Sequence, residues 1–299
     1  MVSPIPSPSL RALVAGLVDY AGLFPPAWLS MPEAAARYAS YLESSDAWVL
    51  GRFVVPVARL DQLAADAARY VTAAPRPWRL SALVGDDVSE DARRIRSFNA
   101  TYSGRFVVDV AEVRAADAAR IELVTHALET GLTVYVEIPY EPDPRPLLQM
   151  VQRAGARAKI RSGGVTPESF PSAAQIARFM VRCAELDVAF KATAGLHHAL
   201  RGEYRLTYQP DAPSATMFGF LNVFVAGALA STGAGEAELV ALLEERKSTA
   251  FTFGTDGLRW RSRSVPLQQL VRARTSFAVA FGSCSFREPV DDLQELALL

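Results

Sequence analysis

Lysine is scarce in this chain. Only three of its 31 Lys and Arg residues are lysines, namely Lys159, Lys191 and Lys247. Arginine keeps its proton in proteins, whereas lysine can become a neutral nucleophile when its pKa falls. A lysine that remains in such an arginine-rich chain is therefore a candidate for a task that needs an amine. Lys159 and Lys191 lie in apolar, strand-like runs, each just before a small, glycine-containing turn.

Cysteine is also rare, and no charge of one sign dominates. With only Cys183 and Cys284, the chain has neither a disulfide framework nor a cysteine-based zinc site. A net charge of −1 argues against nucleic acid or an anionic membrane surface as a partner. The longest apolar run, residues 217–230, is too short to span a bilayer, and the N-terminus lacks a signal-peptide pattern. We expect a cytoplasmic protein with a small-molecule substrate, and self-association into a homo-oligomer stays open.

Short β-rich runs alternate with helical runs along most of the chain. The predicted strands are 48–57, 79–84, 105–110, 133–138, 157–161 and 188–193, with 250–254 and 277–282 needed to reach eight. The predicted helices are 10–18, 32–44, 58–72, 88–97, 115–130, 143–154, 171–186, 217–231, 236–247 and 265–276. Such alternation favours βαβ units around a parallel sheet, and no GxGxxG motif follows the first strand. We predict a single α/β domain over residues 1–299, a (β/α)8 TIM-type barrel.

The beginning of the chain departs from this alternation. Residues 1–30 are predicted to form an N-terminal arm, rich in Pro and Ser at its start. Its later part has two interpretations. Either Phe24 and Trp28 pack on the core as a structural arm, or Asp19 and Tyr20 border the functional site.

A second departure follows the sixth predicted strand. Residues 199–248 are predicted to be an insertion that makes the barrel irregular. Its first part, 199–216, is a polar, proline-containing stretch that is long enough to act as a lid. The helices predicted near 217–231 and 236–247 complete it.

Side-chain alternation sorts the strand residues between two faces. In four consecutive strands the apolar set suits an outer face covered by helices, which leaves the charged set for the barrel interior. This inward set comprises Asp109, Glu137, Lys159 and Lys191, and the first strand adds Arg52. These residues lie toward the carboxyl ends of the strands, where barrels of this type carry their active sites. We interpret the set as catalytic, with a buried ion-pair network between strands as the structural alternative.

Two neighbouring lysines suggest amine chemistry. Like charge and desolvation lower the pKa of one of them, and the resulting free amine can attack a carbonyl group. The imine that forms is an electron sink for making or breaking C–C bonds, and Asp109 or Glu137 can shuttle protons. The amides of 162–164 and the turn at 281–285 are predicted to bind a phosphate or carboxylate group.

The predicted substrate-binding residues lie beside these motifs. They are Arg52, Arg161, Ser162, Gly163, Gly164, Thr193, His197, His198, Gly282 and Ser283. The two histidines follow the Lys191 strand and serve either in substrate contact and acid/base work or as a plain loop pair. A metal site would require further ligands such as Asp109 or Glu137 from separate segments. No HxH or HExxH spacing supports one, so neither a metal nor a cofactor is expected.

The run of motifs AKIRSGG, TPES, FKATAGL and FGSCS resembles that of the class I deoxyribose-phosphate aldolases. In that family a strand lysine forms a Schiff base, a second strand lysine depresses its pKa, and a late Gly- and Ser-containing turn holds phosphate. The resemblance implies that Lys159 is the Schiff-base lysine and Lys191 its partner. It also implies that Asp109 is the proton-relay acid and that Gly282 and Ser283 lie at the phosphate.

Two positions depart from the family pattern. Arg161 stands where the family has a small hydroxyl residue, and Leu196 replaces the second glycine of the later motif. We expect a lyase of class I aldolase type that acts on a small anionic carbonyl compound, in carbohydrate or ketoacid metabolism. The alternatives are a lyase, isomerase or epimerase without a covalent intermediate, a barrel that only binds its ligand, and a family that shares only the barrel.

Overall fold

A closed barrel of eight parallel strands forms the centre of the protein. The computed structural model describes residues 6–72, 76–128 and 131–299. Its strands are β1 Val18–Tyr20, β2 Leu50–Pro56, β3 Trp78–Leu83, β4 Phe106–Arg114, β5 Thr133–Glu137, β6 Arg157–Arg161, β7 Phe190–Thr193, β8 Gly202–Arg205, β9 Ser214–Met217, β10 Phe251–Phe253, β11 Gly257–Trp260, β12 Arg263–Pro266 and β13 Ala278–Ser283. The barrel runs from β1 through β7 to β13, which pairs with β1 again. The predicted (β/α)8 barrel is confirmed.

Helices alternate with the barrel strands and cover the outside of the barrel. They are α1 Pro8–Val14, α2 Met31–Glu43, α3 Leu60–Asp66, α4 Ala68–Val71, α5 Val88–Thr101, α6 Ala118–Ala127, α7 Arg145–Arg153, α8 Ala173–Glu185, α9 Phe220–Ala230, α10 Glu236–Leu243, α11 Leu267–Ser276 and α12 Arg287–Glu295. Single 3-10 turns lie at Ala47–Val49, Val57–Arg59, Pro167–Ser169 and Ser248–Ala250. Capping boxes begin two of the helices, with Ser30 and Glu33 at α2 and Ser172 and Gln175 at α8.

The apolar side chains of the strands pack between the barrel and these helices. Phe106 of β4 contacts Trp78 of β3 and Phe98 of α5, with ring centroids 6.0 and 5.7 Å apart. Helix α9 is buried along its whole length, because it packs against α8, α10, α11 and β13. The outward face of the barrel is therefore the main hydrophobic core, and the inward face is left for polar groups.

The barrel closes with a different first strand from the one predicted. The prediction at 277–282 is confirmed by β13, but the prediction that 250–254 completes the barrel is wrong. Residues 251–253 belong instead to a separate antiparallel sheet with β11 and β12. The eighth barrel strand is β1, which pairs with β13 and β2 and lies in the segment predicted as a helix end and an arm. Helix α1 ends earlier, at Val14.

The N-terminal arm is accordingly shorter than predicted. Phe24 packs against the core as expected, whereas Trp28 is 71% exposed and does not. Residues 1–5 of the predicted arm, and residues 129–130 of the helix predicted at 115–130, lie outside the described residues.

Strand β4 is longer than predicted and contains an irregularity. It continues to Arg114, and its pairing with β3 passes from Val108 to Val110, so that Asp109 is skipped. An extra residue of this kind reverses the alternation of the strand beyond it. Glu112 therefore points into the barrel.

The stretch after β7 is ordered rather than a plain loop. Strands β8 and β9 form an antiparallel hairpin within the predicted polar segment. The predicted helices near 217–231 and 236–247 correspond to α9 and α10. The hairpin leaves the barrel after β7, on the side where the carboxyl ends of the strands meet.

Candidate active site

Two lysines and three carboxylates form an ion-pair cluster inside the barrel, which we call the lysine cluster. Glu112 bridges the two amines, because its Oε1 is 2.6 Å from Nζ of Lys191 and its Oε2 is 2.7 Å from Nζ of Lys159. Nζ of Lys191 is also 2.5 Å from Oδ2 of Asp19. Nζ of Lys159 is 2.9 Å from Oε2 of Glu137. The cluster thus contains Asp19, Glu112, Glu137, Lys159 and Lys191.

Strand register explains why these residues meet. Glu137 of β5 pairs with Lys159 of β6, and Lys159 pairs with Lys191 of β7. Paired residues of a parallel sheet point to the same face, and neighbouring strands are about 4.8 Å apart. The three side chains predicted from alternation are therefore brought together, while Asp19 and Glu112 join them from β1 and β4.

Neighbouring groups hold the carboxylates of the lysine cluster in place. The hydroxyl of Ser81 donates to Oε1 of Glu112 at 2.6 Å. The backbone N–H of Arg52 donates to Oδ1 of Asp19 at 2.7 Å. The ring of Tyr135 lies below Lys191, whose Nζ is 5.5 Å from the ring centroid. The two hydrogen bonds satisfy carboxylate oxygens that would otherwise be costly to bury.

Gly51 provides the space that Asp19 occupies. A Cβ atom at residue 51 would lie 2.3 Å from Oδ1 of Asp19. We expect Gly51→Ala to lower the free energy of unfolding by about 1–3 kcal/mol, because Asp19 must move away from Lys191. Urea unfolding measures the loss. Gly254→Ala is the matched control, since a Cβ there would be 3.6 Å from its nearest neighbour. Equal losses in the two variants would show that Asp19 is not the cause.

The charges of the lysine cluster stabilise one another against the cost of burial. Burial opposes the charge of Glu112, yet Lys159 and Lys191 hold the pKa of its carboxyl far below its usual range. Burial likewise opposes the charge of Lys191, yet Asp19 and Glu112 raise the pKa of its amine. The pKa of the Lys191 amine is thus raised, because a carboxylate stands between the two amines.

A cavity of about 390 Å³ opens at the carboxyl ends of the barrel strands. Its lining residues are Ala21, Phe24, Pro25, Pro26, Val54, Leu83, Glu112, Arg114, Lys159, Arg161, Gly163, Gly164, Val165, Ser169, Thr193, Ala194, Gly195, His197, Gly282 and Cys284. Lys159, 3% exposed, forms part of this lining, whereas Lys191, 1% exposed, lies beneath it. Only the first of these amines is thus presented to a ligand in the cavity.

Two arginines bring positive charge to the cavity. Nε of Arg161 is 3.0 Å and Nε of Arg114 is 3.2 Å from Oε1 of Glu137. Although burial opposes the charge of Glu137, Lys159 and Arg161 lower the pKa of its carboxyl. Arg161 was predicted as a substrate-binding residue and Arg114 was not. Both guanidinium groups line the cavity.

The SGG motif forms one wall of the cavity. Gly163 and Gly164 line it, and a Cβ at residue 163 would come within 2.9 Å of the Cα of Gly195. Ser162, in contrast, is fully buried, and its hydroxyl donates to the carbonyl of Ala194 at 2.6 Å. The hydroxyl of Ser162, a residue predicted to bind substrate through its backbone amide, thus ties together the segments that follow β6 and β7.

The residues predicted near β13 are also divided between the cavity lining and the buried interior. Thr193 and Gly282 line the cavity, at paired positions of β7 and β13. Ser283 is buried, and its carbonyl accepts from the N–H of Ala21 at 2.6 Å. The backbone of Ser283 thus anchors the end of β1 to that of β13.

The two histidines contact helix α12. Nδ1 of His197 is 3.0 Å from Oε2 of Glu288, and His197 lines the cavity. Nδ1 of His198 is 3.2 Å from Oδ2 of Asp292, and its ring stacks on Tyr204 of β8 at a centroid distance of 3.6 Å. His197 therefore belongs to the cavity, while His198 joins α12 to the hairpin.

Asp109 and Arg52 lie elsewhere, contrary to prediction. Oδ1 of Asp109 is 2.6 Å from Nε of Arg52, and its Oδ2 is 2.5 Å from Nη2 of Arg79. Asp109 precedes Glu112 by three residues, which places it about 10 Å further down the strand. The extra residue in β4, a β-bulge at Asp109, causes this outcome. It makes Glu112 the inward carboxylate of β4 at the level of the lysines.

Fold and site define a (β/α)8 barrel with a charged, lysine-containing cavity at the carboxyl ends of its strands. Comparison of the chain with family models, with curated proteins and with solved structures found no match. Within residues 6–72, 76–128 and 131–299, no group of three or more His, Cys, Asp or Glu residues is arranged to hold a metal ion. In the same part of the chain, no helix has the length and apolar character needed to cross a membrane.

Proposed function

We propose that this protein is an enzyme of class I aldolase or lyase type that uses Lys159 on a small anionic carbonyl compound. The observation that carries the proposal is the position of Lys159. Its amine is buried among carboxylates, and the residue is part of the lining of the cavity at the carboxyl ends of the strands. Barrels of this type place their catalytic residues at these ends.

The two lysines have different roles in this proposal. Lys191 keeps its proton, because Asp19 and Glu112 raise the pKa of its amine, and it stays below the cavity as a fixed positive charge. Lys159 attacks the carbonyl carbon of the substrate and forms a carbinolamine. Loss of water from the carbinolamine gives an imine, which accepts the electrons of the C–C bond that breaks.

Two carboxylates are in position to move the protons of this sequence. Glu112 and Glu137 lie 2.7 and 2.9 Å from Nζ of Lys159. Either can take up the proton that the amine must lose, and either can return one to the departing water. They replace Asp109, whose contacts are with Arg52 and Arg79.

The arginines at the cavity support an anionic substrate. Arg161 and Arg114 both line the cavity, and each contacts Glu137 through Nε. A guanidinium group carries five donors in a planar fork, so it can bind a carboxylate or phosphate while bonded to Glu137. The charge of the substrate is therefore expected to lie beside β4 and β6.

Borohydride trapping tests this function directly. The protein is incubated with a panel of aldehydes and ketoacids, reduced with borohydride, and mapped by mass spectrometry. We expect a reduced adduct on Lys159 with at least one anionic carbonyl compound. Lys247, which is exposed, is the internal control for unspecific modification. An adduct found only on Lys247, or on no lysine, contradicts the imine mechanism.

One observation favours a second candidate function. Asp19 and Glu112 stabilise the ammonium form of Lys191, because they raise the pKa of its amine. Ammonium groups suit an acid/base lyase, isomerase or epimerase that forms no covalent intermediate. Turnover of a carbonyl substrate without any trapped adduct would identify this function, and binding without turnover would identify a binding protein.

A further inference from the structure

A second nucleophilic side chain lines the cavity. Cys284 follows β13, and its Sγ is 3.9 Å from Nδ1 of His197 and 3.5 Å from the hydroxyl of Tyr208. Oε2 of Glu288 lies 3.0 Å from the same imidazole nitrogen and accepts from the Tyr208 hydroxyl at 3.2 Å. A thiol, an imidazole, a carboxylate and a phenol thus converge, the thiol and the carboxylate from neighbouring positions 284 and 288 and the other two from more distant parts of the chain. Cys284 and His197 are both part of the cavity lining.

This arrangement has the elements that activate a cysteine. The thiolate is the reactive form of a cysteine, and a neighbouring protonated imidazole stabilises it by its charge. Burial opposes the charge of His197, but its hydrogen bonds to Cys284 and Glu288 raise the pKa of the imidazole to about 10. Glu288, on α12, contacts the same nitrogen and stabilises the protonated form of the ring.

The other cysteine is an internal reference. Cys183 lies in α8 among core residues, with no exposed surface, and burial raises the pKa of its thiol. Its surroundings are those of a structural cysteine, which is inert. The two thiols of one molecule therefore differ in access and in neighbours.

We propose that Cys284 is a nucleophilic thiol of the cavity that forms a covalent bond with small electrophilic carbon compounds. With iodoacetamide, Sγ bonds to the methylene carbon, the C–I bond breaks, and iodide leaves with its electron pair. The thiol proton passes to solvent, and the protonated His197 stabilises the thiolate that attacks. With an aldehyde, Sγ bonds to the carbonyl carbon, and the oxygen takes the proton to give a hemithioacetal. The cavity then presents two nucleophiles, an amine and a thiol.

Timed alkylation of the folded protein tests this proposal without a known substrate. Iodoacetamide is added at pH 7, samples are quenched at intervals, and peptide mass spectrometry quantifies the label on each cysteine. We expect Cys284 to react at least about 10-fold faster than Cys183. The same measurement in urea gives the alkylation rates of both thiols in the unfolded chain, where the two rates are expected to converge.

Two variants test the role of the neighbours. His197→Gln keeps a polar side chain but removes the positive charge beside the thiol, and we expect it to slow alkylation of Cys284 by about 10-fold. Circular dichroism shows whether each variant is folded. Should His197→Gln be misfolded, Glu288→Gln tests the His197–Glu288 pair instead, because it leaves the imidazole in place. Label on Cys284 no faster than on Cys183, or equally fast in wild type and in every folded variant, overturns the proposal. Because no lysine takes part, its failure leaves the imine mechanism untouched.

Discussion

In the Glu112→Gln variant we expect the free energy of unfolding at pH 7 to fall by about 3–5 kcal/mol, the range for breaking a buried ion pair by removing one partner. Glu112 is 3% exposed and contacts both amines of the lysine cluster, one through each oxygen. A neutral amide cannot compensate two ammonium groups. Lys191 keeps Asp19 and Lys159 keeps Glu137, so each loses half of its carboxylate contacts. Urea unfolding followed by circular dichroism measures the loss.

Glu122→Gln is the control for this prediction. Glu122 lies on the exposed face of α6. Surface substitutions of this type change stability by no more than about 0.5 kcal/mol. A loss below about 1 kcal/mol in Glu112→Gln would mean that the two amines do not depend on the bridging carboxylate. In that case the lysine cluster would not be the tightly coupled unit that its distances indicate.

The effect of Glu112 depends on pH in a defined direction. Folding lowers the pKa of its carboxyl below the ordinary value of 4.5. A group of this kind contributes stability that is fully present above its unfolded pKa and is lost as the pH falls toward its folded pKa. The difference in free energy of unfolding between wild type and Glu112→Gln is therefore largest above about pH 5 and becomes smaller in acid. Unfolding curves between pH 7 and pH 3 follow this change.

The barrel was predictable from sequence because short strand-like runs alternate with helical runs along most of the chain. Strand β6, for instance, was predicted at 157–161 and is found there. Strand β1 was missed because three residues, Val18–Tyr20, are too few for alternation to emerge. The opposite error arose at Phe251–Phe253, where an apolar run of similar length belongs to a small antiparallel sheet. The sequence of a short apolar run does not indicate which strand it pairs with.

The site was predictable only where strands are regular. Glu137, Lys159 and Lys191 lie on unbroken ladders, so counting alternate residues placed them correctly. In β4, counting alternate residues selected Asp109 instead of Glu112. The bulge at Asp109 was not part of that count, because it arises from the pairing of β4 with β3. A charged residue within the apolar continuation VAEVR was the available signal for Glu112. A sequence does not reveal bulges directly, since they arise from tertiary pairing.

Replacing Lys159 by Arg is expected to abolish the borohydride-dependent adduct and, once a substrate is known, to reduce turnover by at least about 10³-fold. Losses of this size follow the removal of a covalent nucleophile. Arginine keeps a positive charge near Glu112 and Glu137, but its guanidinium does not lose a proton and cannot form an imine. The variant therefore separates the charge of residue 159 from its nucleophilicity. Lys159→Met removes both, and it serves as the comparison for charge.

The third lysine gives this experiment its matched control. Lys247 is exposed, and Lys247→Arg makes the same chemical change away from the cavity, so the adduct and turnover should stay at wild-type level. An adduct that persists on Lys191 in the Lys159→Arg variant would identify Lys191, on β7, as the nucleophile. Full turnover in Lys159→Arg would rule out the imine at this position. Turnover that survives in Lys159→Arg but not in Lys159→Met would instead show that residue 159 acts by its charge, as the non-covalent mechanism requires.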